Sequence, residues 1–409
     1  MKAILASKIG LGQEVWDRFT SKLLHGRKRS SALSLEFVEM PEPTLPSPEW
    51  VKIRTIMSAI SDMDEGMING DDPGVFGAYV SFPFVPGNEM LGIVTDMGEE
   101  VQGVELGERV VVNPLLSCEP RGINPVCSSC AAGNLGSCRN FSKGIISPGI
   151  MIGACKDTNG GWGDYVIAHK SQVKSLPQTM ESDQAILIPE YARALTAVLK
   201  HPPAAGERVI IIGGSSLGLL TLLAMKRLMN DTKVLYVAHY PFETEIAQQI
   251  GHEEIITDWE PAEAYEAVAE MVNGSVRYPE FGRLYMEGGA DIVYETSGKV
   301  RLIEDAVRFT AEGKKLVLMG INEPSGFDMT PIWFKNVHIT ATIFGGRENF
   351  NGKPMSMFDL AIEKMSEHGL PYDNLITHRF RLEQFKEATD VMADRGANGA
   401  IKLIFQHVF

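Results

Sequence analysis

Four of the five cysteines in this 409-residue chain lie in one short, turn-rich stretch. Cys127 and Cys130 form a C-x-x-C pair, with Cys118 nine positions before it and Cys138 eight positions after it. Four thiolates in such a loop can complete the tetrahedral coordination of a structural zinc ion. The sequence therefore predicts one structural zinc per chain, and the alternative is four reduced thiols without metal. The isolated Cys155 is predicted to be an inert buried thiol.

A second chemical motif is the glycine-containing stretch GGSSLG, at residues 213–218. It follows the apolar run RVIIIG and precedes the helical pattern LGLLTLLAMKRL. Glycine at such a turn lets the helix N-terminus face the pyrophosphate of a dinucleotide, whereas the alternative is an ordinary strand-to-helix connection. The predicted nucleotide-binding residues are Gly213, Ser215, Ser216, Leu217 and Gly218.

The choice between NAD and NADP depends on the end of the following strand, at Ala238. An Asp or Glu there would accept a hydrogen bond from the ribose 2′-hydroxyl of NAD. The chain has no carboxylate at this point, and no Arg or Lys follows, because the next residues are His239 and Tyr240. We predict that Ala238, His239 and Tyr240 lie at the adenosine end and that NADP binds at least as well as NAD. The alternative is that His239 and Tyr240 are surface residues.

The elements around these motifs fall into two classes. From Arg208 onward, strand-like runs alternate with helical patterns, which predicts a doubly wound parallel sheet of the Rossmann type. The first third instead has short β-type runs separated by Pro and Gly, which predicts a β-rich, partly barrel-like domain closed by the C-terminal run GAIKLIF. We therefore predict an α/β protein with a Rossmann domain at 176–343 and a β-rich domain at 1–175 and 344–409.

Composition excludes several classes of function. The net charge of −14 argues against a general role on nucleic acid or anionic membranes, since phosphate-rich surfaces would repel the chain. No apolar run approaches the roughly 18 residues that span a bilayer. With 44% hydrophobic and 22% charged residues, we predict a soluble, cytoplasmic protein with no nucleic-acid or membrane partner.

Several stretches together resemble the zinc-containing medium-chain dehydrogenases/reductases, the superfamily of alcohol, sorbitol and threonine dehydrogenases. The resemblance extends over nearly the whole chain and implies a GroES-like catalytic domain, a Rossmann domain and an active-site cleft at their junction. We also expect a small-molecule substrate and a homodimer or homotetramer. The matching stretches are FVPGNEMLGIV, LGERVVV, the cysteine loop, GGWGDYVIAH, GGSSLGLL, DIVYETSG and LITHRFRLEQFKEATDVM.

The cysteine loop departs slightly from the family. The usual structural-zinc pattern is C-x-x-C-x-x-C-x7-C, whose last three positions match Cys127, Cys130 and Cys138. Its first position falls on Asn124. The resemblance therefore implies that Cys118 reaches the zinc from an enlarged loop.

The departures at the catalytic zinc are larger. Relatives have a cysteine in a segment like GICGTD, and the matching AISDMD has Ser61 in its place. The histidine of Gly-His-Glu is replaced by Asn88, while Glu89 is retained. A third segment, resembling EPLACALHAV, is PEYARALTAV here, with Pro189, Glu190 and Arg193. We therefore predict a cleft without catalytic metal; the alternative is a zinc held by carboxylates alone, namely Asp62, Asp64, Glu89 and Glu190.

The function that follows is hydride transfer by an NAD(P)-dependent oxidoreductase without catalytic zinc, on a conjugated or otherwise activated small molecule. The alternative is a non-catalytic nucleotide-binding sensor or structural partner derived from such an enzyme. We predict that Arg193 pairs with Glu89 and replaces part of the zinc charge, rather than pointing to solvent. The candidate catalytic residues are Ser61, Asp64, Asn88, Glu89 and Arg193.

An insertion near the N-terminus has a different charge from the rest of the chain. Residues 16–31 contain five Lys or Arg and one Asp. Val15, Phe19 and Leu23 have helical spacing, which predicts a short amphipathic helix. It either packs on its own domain or serves as a lid or a site for an acidic partner.

Overall fold

The structure is a computed structural model that describes residues 1–8, 33–69, 74–229, 231–252, 254–257, 261–321, 326–367 and 374–408. The predicted amphipathic helix at Val15, Phe19 and Leu23 lies outside these residues. Contacts divide the chain into two compact units. The first unit is Met1–Pro189, Phe358–Ser366 and Ile376–Phe409, and the second is Glu190–Met357 and Glu367–Leu375. The predicted domain boundaries at 175/176 and 343/344 each lie 14 residues before the corresponding boundaries of this division.

The strands belong either to two-stranded antiparallel pairs or to larger sheets. In chain order they are β1 (Lys2–Lys8), β2 (Leu33–Glu39), β3 (Trp50–Ile60), β4 (Glu89–Met97), β5 (Arg109–Val112), β6 (Tyr165–His169), β7 (Val173–Ser175), β8 (Arg208–Ile212), β9 (Lys233–Val237), β10 (Ile255–Ile256), β11 (Ser275–Arg277), β12 (Tyr285–Glu287), β13 (Ala290–Glu295), β14 (Thr310–Leu318), β15 (His338–Ala341), β16 (Arg347–Phe350), β17 (Lys353–Ser356), β18 (Ile376–Phe380) and β19 (Lys402–Gln406).

Helices occur in both units, and the longest lie largely in the second. They are α1 (Asp62–Asn69), α2 (Ser128–Ala131), α3 (Ser182–Ala185), α4 (Ile188–Lys200), α5 (Ser216–Leu228), α6 (Phe242–Gln249), α7 (Pro261–Val272), α8 (Val300–Phe309), α9 (Thr330–Lys335), α10 (Met357–Met365), α11 (Phe385–Ala393) and α12 (Arg395–Asn398). Short 3₁₀ helices span Gly74–Tyr79, Leu135–Ser137 and Leu382–Gln384. Among the described residues, no helix has the length and apolar character needed to cross a bilayer.

The first unit is organised around β3. This strand pairs antiparallel with β4, β6 and β19, in a sheet of order β18-β19-β3-β4-β5-β7. Trp50, Val51 and Ile53 of β3 are fully buried and pack in the apolar core of this unit. The prediction that the C-terminal run closes the β-rich domain is confirmed, because β19 pairs directly with β3.

The second unit contains the predicted parallel sheet, with strand order β10-β9-β8-β13-β14-β15. The chain runs outward from β8 to β10 and then returns to β13, so the strand order reverses between β8 and β13. Ligands of such sheets bind at this reversal, beyond the carboxyl ends of the strands. The sequence did not predict the antiparallel hairpin β11–β12, which is inserted between α7 and β13. Its strands are three residues long and largely exposed, so they have little of the apolar alternation that identifies a strand.

Candidate functional site

Three of the predicted catalytic residues meet in the first unit. Ser61 directly follows β3, Asp64 lies in the first turn of α1, and Asn88 directly precedes β4. The antiparallel register pairs Ala59 with Glu89, so the end of β3 and the start of β4 are adjacent. All three predicted residues are at most 5% exposed.

These side chains form a closed hydrogen-bond network. Ser61 Oγ donates to Asp64 Oδ2 at 2.7 Å, and Asn88 Nδ2 donates to Ser61 Oγ at 2.6 Å and to Asp64 Oδ2 at 3.3 Å. The backbone N–H groups of Ser61 and Gly87 also donate to the Asp64 carboxylate, each at 3.0 Å. Burial raises the pKa of Asp64, and these hydrogen bonds oppose that shift. The Asn88 amide nitrogen is thus anchored to both Ser61 and Asp64.

Beside this network lies a buried ion pair that the sequence analysis missed. Glu89 Oε2, at the start of β4, is 2.6 Å from Nζ of Lys402, at the start of β19. Their side chains are 3% and 2% exposed. The sequence contains one signal for this ion pair, namely a lysine within the apolar run GAIKLIF. A charged residue in a buried strand requires a partner.

The other predicted residues of the cleft, Glu190 and Arg193, lie on α4 in the second unit. Glu190 Oε2 accepts a 2.6 Å hydrogen bond from the hydroxyl of Ser216, at the start of α5. Arg193 is 6% exposed and donates from Nη2 to the Met319 carbonyl at 3.0 Å, so the alternative that it points to solvent is wrong. The pairing of Arg193 with Glu89 stays a prediction.

The four clustered cysteines converge as predicted. Their sulfur atoms all lie within 4.8 Å of one another, and the Sγ atoms of Cys118 and Cys138 are 3.6 Å apart. A tetrahedral zinc with Zn–S bonds of about 2.3 Å places its sulfurs about 3.8 Å apart, so the group has the dimensions of a zinc site. Cys118 supplies the fourth thiol, as the enlarged loop implied. Cys155 is fully buried outside this group, where its thiol donates to the Ser147 carbonyl at 3.4 Å.

Arg121 organises the loop that carries Cys118. Its side chain is fully buried, and its guanidinium donates only to backbone carbonyls. These carbonyls belong to Leu116 (2.8 Å), Lys143 (2.8 Å), Ile146 (3.2 Å), Ser147 (3.2 Å) and Gly149 (2.6 Å). One side chain thus satisfies five carbonyls and connects both sides of the cysteine loop. Nothing in the sequence pattern marked this role.

The predicted nucleotide-binding turn has the required close packing. A Cβ on Gly213 would overlap with the Tyr236 hydroxyl, and one on Gly218 would lie 2.8 Å from the Gly213 Cα. Ser215 caps α5, because its hydroxyl accepts from the N–H of Leu217 at 3.4 Å. The Ser216 hydroxyl donates to Glu190, which leaves the Ser216 backbone N–H as the predicted donor to a phosphate. The turn and the N-terminus of α5 fit a dinucleotide pyrophosphate.

The predicted adenosine end contains a cation that is distant in sequence. Lys299 Nζ, at the start of α8, donates to His239 Nε2 at 2.9 Å and to the Tyr240 hydroxyl at 2.7 Å. His239 and Tyr240 are half-buried, and Ala238 is fully buried. The nearby Glu243 is also buried and accepts from the His239 N–H at 3.1 Å. The sequence analysis considered only residues that follow β9 and so missed Lys299.

Two families match this chain. The alcohol dehydrogenase GroES-like domain matches residues 47–178, and the zinc-binding dehydrogenase domain matches residues 216–359. The starvation-sensing protein RspB of Escherichia coli (strain K12) is 24% identical over 87% of this chain and 91% of its own length. An L-threonine 3-dehydrogenase of Legionella pneumophila (strain Philadelphia 1) is 25% identical over 88% of this chain and 94% of its own length.

Solved structures share the fold. An rspB alcohol dehydrogenase from E. coli CFT073, complexed with NADH, has a TM-score of 0.71 at 20% identity and covers 99% of each chain. A zinc-binding dehydrogenase from Sinorhizobium meliloti 1021, bound to NADP, has a TM-score of 0.67 at 22% identity, over 92% of this chain and 96% of its own. The two domain matches, the order of the domains and the relatives lead to one assignment: the chain belongs to the zinc-type medium-chain dehydrogenase/reductase family.

Proposed function

We propose that this protein is an NAD(P)-dependent oxidoreductase that transfers a hydride without a catalytic zinc. The observation that carries the proposal is the network of Ser61, Asp64 and Asn88. The Asn88 amide nitrogen donates to Ser61 and Asp64, and an amide nitrogen has donors but no free lone pair for a metal. Ser61 Oγ already donates to Asp64 and accepts from Asn88 and from the Asp64 N–H. A metal here would have to break this whole set of buried hydrogen bonds.

The same network restricts the substrate. The 213–218 turn and the N-terminus of α5 would hold the pyrophosphate of a nicotinamide cofactor, which would supply or accept the hydride. In a zinc enzyme the metal polarises a carbonyl as a Lewis acid. Here the Ser61 hydroxyl donates to Asp64, and the Asn88 amide is a neutral donor that polarises a carbonyl oxygen far less than a zinc ion does. Such a site favours conjugated or otherwise activated substrates, which need less polarisation of the carbonyl.

A second candidate function is nucleotide sensing without turnover. It is supported by the residue types Ser61 and Asn88 at the predicted metal-ligand positions, and by the name of the relative RspB, a starvation-sensing protein. The two candidates share the nucleotide-binding turn, so nucleotide binding alone does not separate them.

The experiment is metal analysis of the purified chain combined with NADPH and NADH consumption over matched enones and saturated ketones. We expect one zinc per chain, held by the four clustered cysteines, and oxidation of the reduced cofactor with the enones only. Asn88→Ala should lower turnover and leave the zinc content at one. Two zinc ions per chain would contradict the proposal, and nucleotide binding without turnover on any substrate would favour the sensor.

We also propose a homodimer formed through β15. Among the described residues this strand is paired on one side only, with β14. Ile339 on this strand is 41% exposed, and Trp333 and Phe334 of α9, the helix that precedes it in the chain, are 72% and 78% exposed. An unpaired edge strand that follows a helix with exposed aromatic side chains is suited to pairing with a second copy across a two-fold axis.

The clustered thiols also fit a reducing compartment, for which we propose the cytoplasm.

Light scattering coupled to size-exclusion chromatography tests the dimer. The wild-type chain should elute at twice its monomer mass, and the Trp333→Glu/Phe334→Glu double variant should elute as a monomer. Phe281→Glu is the matched control, because Phe281 is 89% exposed but lies outside α9 and β15. A wild-type monomer would rule out this interface.

A further inference from the structure

We infer that Lys299 recognises the 2′-phosphate of NADP(H), with the Tyr240 hydroxyl as the second donor, and that the protein prefers NADP(H) over NAD(H). This inference rests on the nucleotide-binding part of the proposed function and is independent of whether turnover occurs. Lys299 lies about 60 positions from the end of β9, where the residue that selects between NAD and NADP is usually found.

Among the described residues, one N–H donor of the Lys299 ammonium group has no acceptor. An ammonium group carries three N–H donors, and two of them are used on His239 and Tyr240. The Tyr240 hydroxyl accepts from Lys299, so its own proton is free to donate. The unused ammonium N–H and the phenol O–H belong to atoms only 2.7 Å apart, so one phosphate group can accept from both. Charge-assisted hydrogen bonds of this type are the strong ones.

Lys299 is held in place by a buried carboxylate. Its backbone N–H donates to Ser297 Oγ at 3.1 Å. The Ser297 hydroxyl in turn donates to Glu295, and the Ser297 N–H donates to Glu295 Oε1 at 2.8 Å. Glu295 is fully buried at the end of β13. The backbone at Lys299 is thus positioned before any ligand binds, which lowers the entropic cost of ordering it.

The hydroxyl partner is also preorganised. The Tyr240 ring stacks on Phe242, with ring centroids 5.1 Å apart and an angle of 11° between the planes. Lys299 Nζ lies 4.8 Å from the centroid of the same ring. These contacts restrict the phenol to the neighbourhood of the ammonium group. The pair therefore acts as one anion-binding unit.

The charge around this unit favours an anion. The pKa of His239 is lowered to about 4, chiefly by burial and further by the positive charges of Lys299 and Arg301. Glu243, whose carboxyl group lies beside the His239 backbone, has its pKa raised to about 8 by burial. It is therefore largely neutral at pH 7 and repels a phosphate little. NAD would instead need an acceptor for its 2′-hydroxyl, whereas this unit presents donors.

The test is isothermal titration of the full-length chain with 2′,5′-ADP and 5′-ADP, followed by NADP and NAD. These probes differ at the 2′-phosphate, and no substrate is needed. The wild-type chain should bind 2′,5′-ADP and NADP about 10- to 100-fold more tightly than 5′-ADP and NAD, the range expected for one or two charge-assisted hydrogen bonds. Lys299→Met should lose most of this preference, because it lowers the affinity for NADP and 2′,5′-ADP much more than the affinity for NAD and 5′-ADP.

Two further variants separate a charge effect from a general structural effect. Lys299→Arg should retain the preference, and Tyr240→Phe, which keeps the ring, should lose about threefold to tenfold in NADP affinity alone. Lys233→Met is the matched control, because Lys233 is an exposed lysine at the opposite end of β9. Thermal melts of all variants check that they remain folded.

The outcomes separate this inference from the proposed function. Equal binding of 2′,5′-ADP and 5′-ADP to the wild-type chain, or equal loss of NAD and NADP binding in Lys299→Met, would overturn the inference and leave the oxidoreductase proposal standing. A clear NADP preference without turnover on any substrate would support the inference and favour the sensor. Failure to bind any of the four nucleotides would overturn both.

Discussion

Removing zinc from the cysteine group is expected to lower the melting temperature by about 10 °C or more, because thiolate ligation contributes directly to folding. The loop that carries the cysteines has little regular structure apart from the short α2 and a 3₁₀ turn. Without metal, four mutually close thiols would be held together mainly by Arg121 and its backbone contacts. Differential scanning calorimetry before and after chelation, with zinc measured in parallel, checks the prediction.

Cys130→Ser should reproduce the effect of chelation and reduce the bound zinc to well below one per chain. Cys155→Ser is the control, since Cys155 is also a thiol of the first unit but lies outside the group. It should keep one zinc per chain and lose only about 1 kcal/mol of stability, as expected for a small change at a buried site. Unchanged zinc content in Cys130→Ser would show that the four thiols are not the ligands.

The second large effect is expected at the buried ion pair between Glu89 and Lys402. Lys402→Met should reduce the free energy of unfolding by about 3–5 kcal/mol, because it leaves the Glu89 charge buried without its lysine partner. The Lys402→Met/Glu89→Gln double variant should recover most of this loss, since the uncompensated charge is then removed as well. Chemical denaturation of the two single variants and the double variant gives the coupling energy.

An exposed ion pair in the same unit provides the control. Lys2 and Glu383 are 3.2 Å apart, with side chains 53% and 50% exposed, so Lys2→Met should cost less than about 1 kcal/mol. Similar losses in Lys2→Met and Lys402→Met would argue against a special role for the buried pair. Adding Arg193→Met to Lys402→Met tests the predicted pairing of Arg193 with Glu89. A further loss of stability that disappears when Glu89 is replaced by Gln would support that pairing.

Local patterns predicted most of the fold. The alternation of apolar strands and amphipathic helices after Arg208 matched the observed order from β8 to β15, because a parallel sheet with helical crossovers needs that alternation. The hairpin β11–β12 was the exception, since its strands are too short and too exposed to show a clear apolar alternation. The positions of the domain boundaries depend on contacts between distant residues, and local composition does not specify those contacts.

The cysteine group and the predicted replacement of the metal ligands could be inferred from the sequence for a related reason. Thiolates at short spacing are close in space whatever the fold, and Ser61 and Asn88 occupy positions that the flanking motifs already identify. The hydrogen-bond partners of Ser61 and Asn88 could not be inferred. Their hydrogen bonds to Asp64 require the end of β3 and the start of β4 to be adjacent, which the antiparallel register brings about.

The sequence by itself determined the family, the two kinds of domain, the four clustered thiols and the residue types at the predicted metal-ligand positions, because each of these is encoded in residues close together in the chain. Only the tertiary structure decided the partners of the charged residues. Lys402 joins Glu89 across more than 300 positions, and Lys299 joins Tyr240 across 59. Arg121 can donate to its five backbone carbonyls only when its loop is folded. A buried charge must be compensated, but sheet register and crossover connections choose the compensating residue, and neither is visible in local sequence.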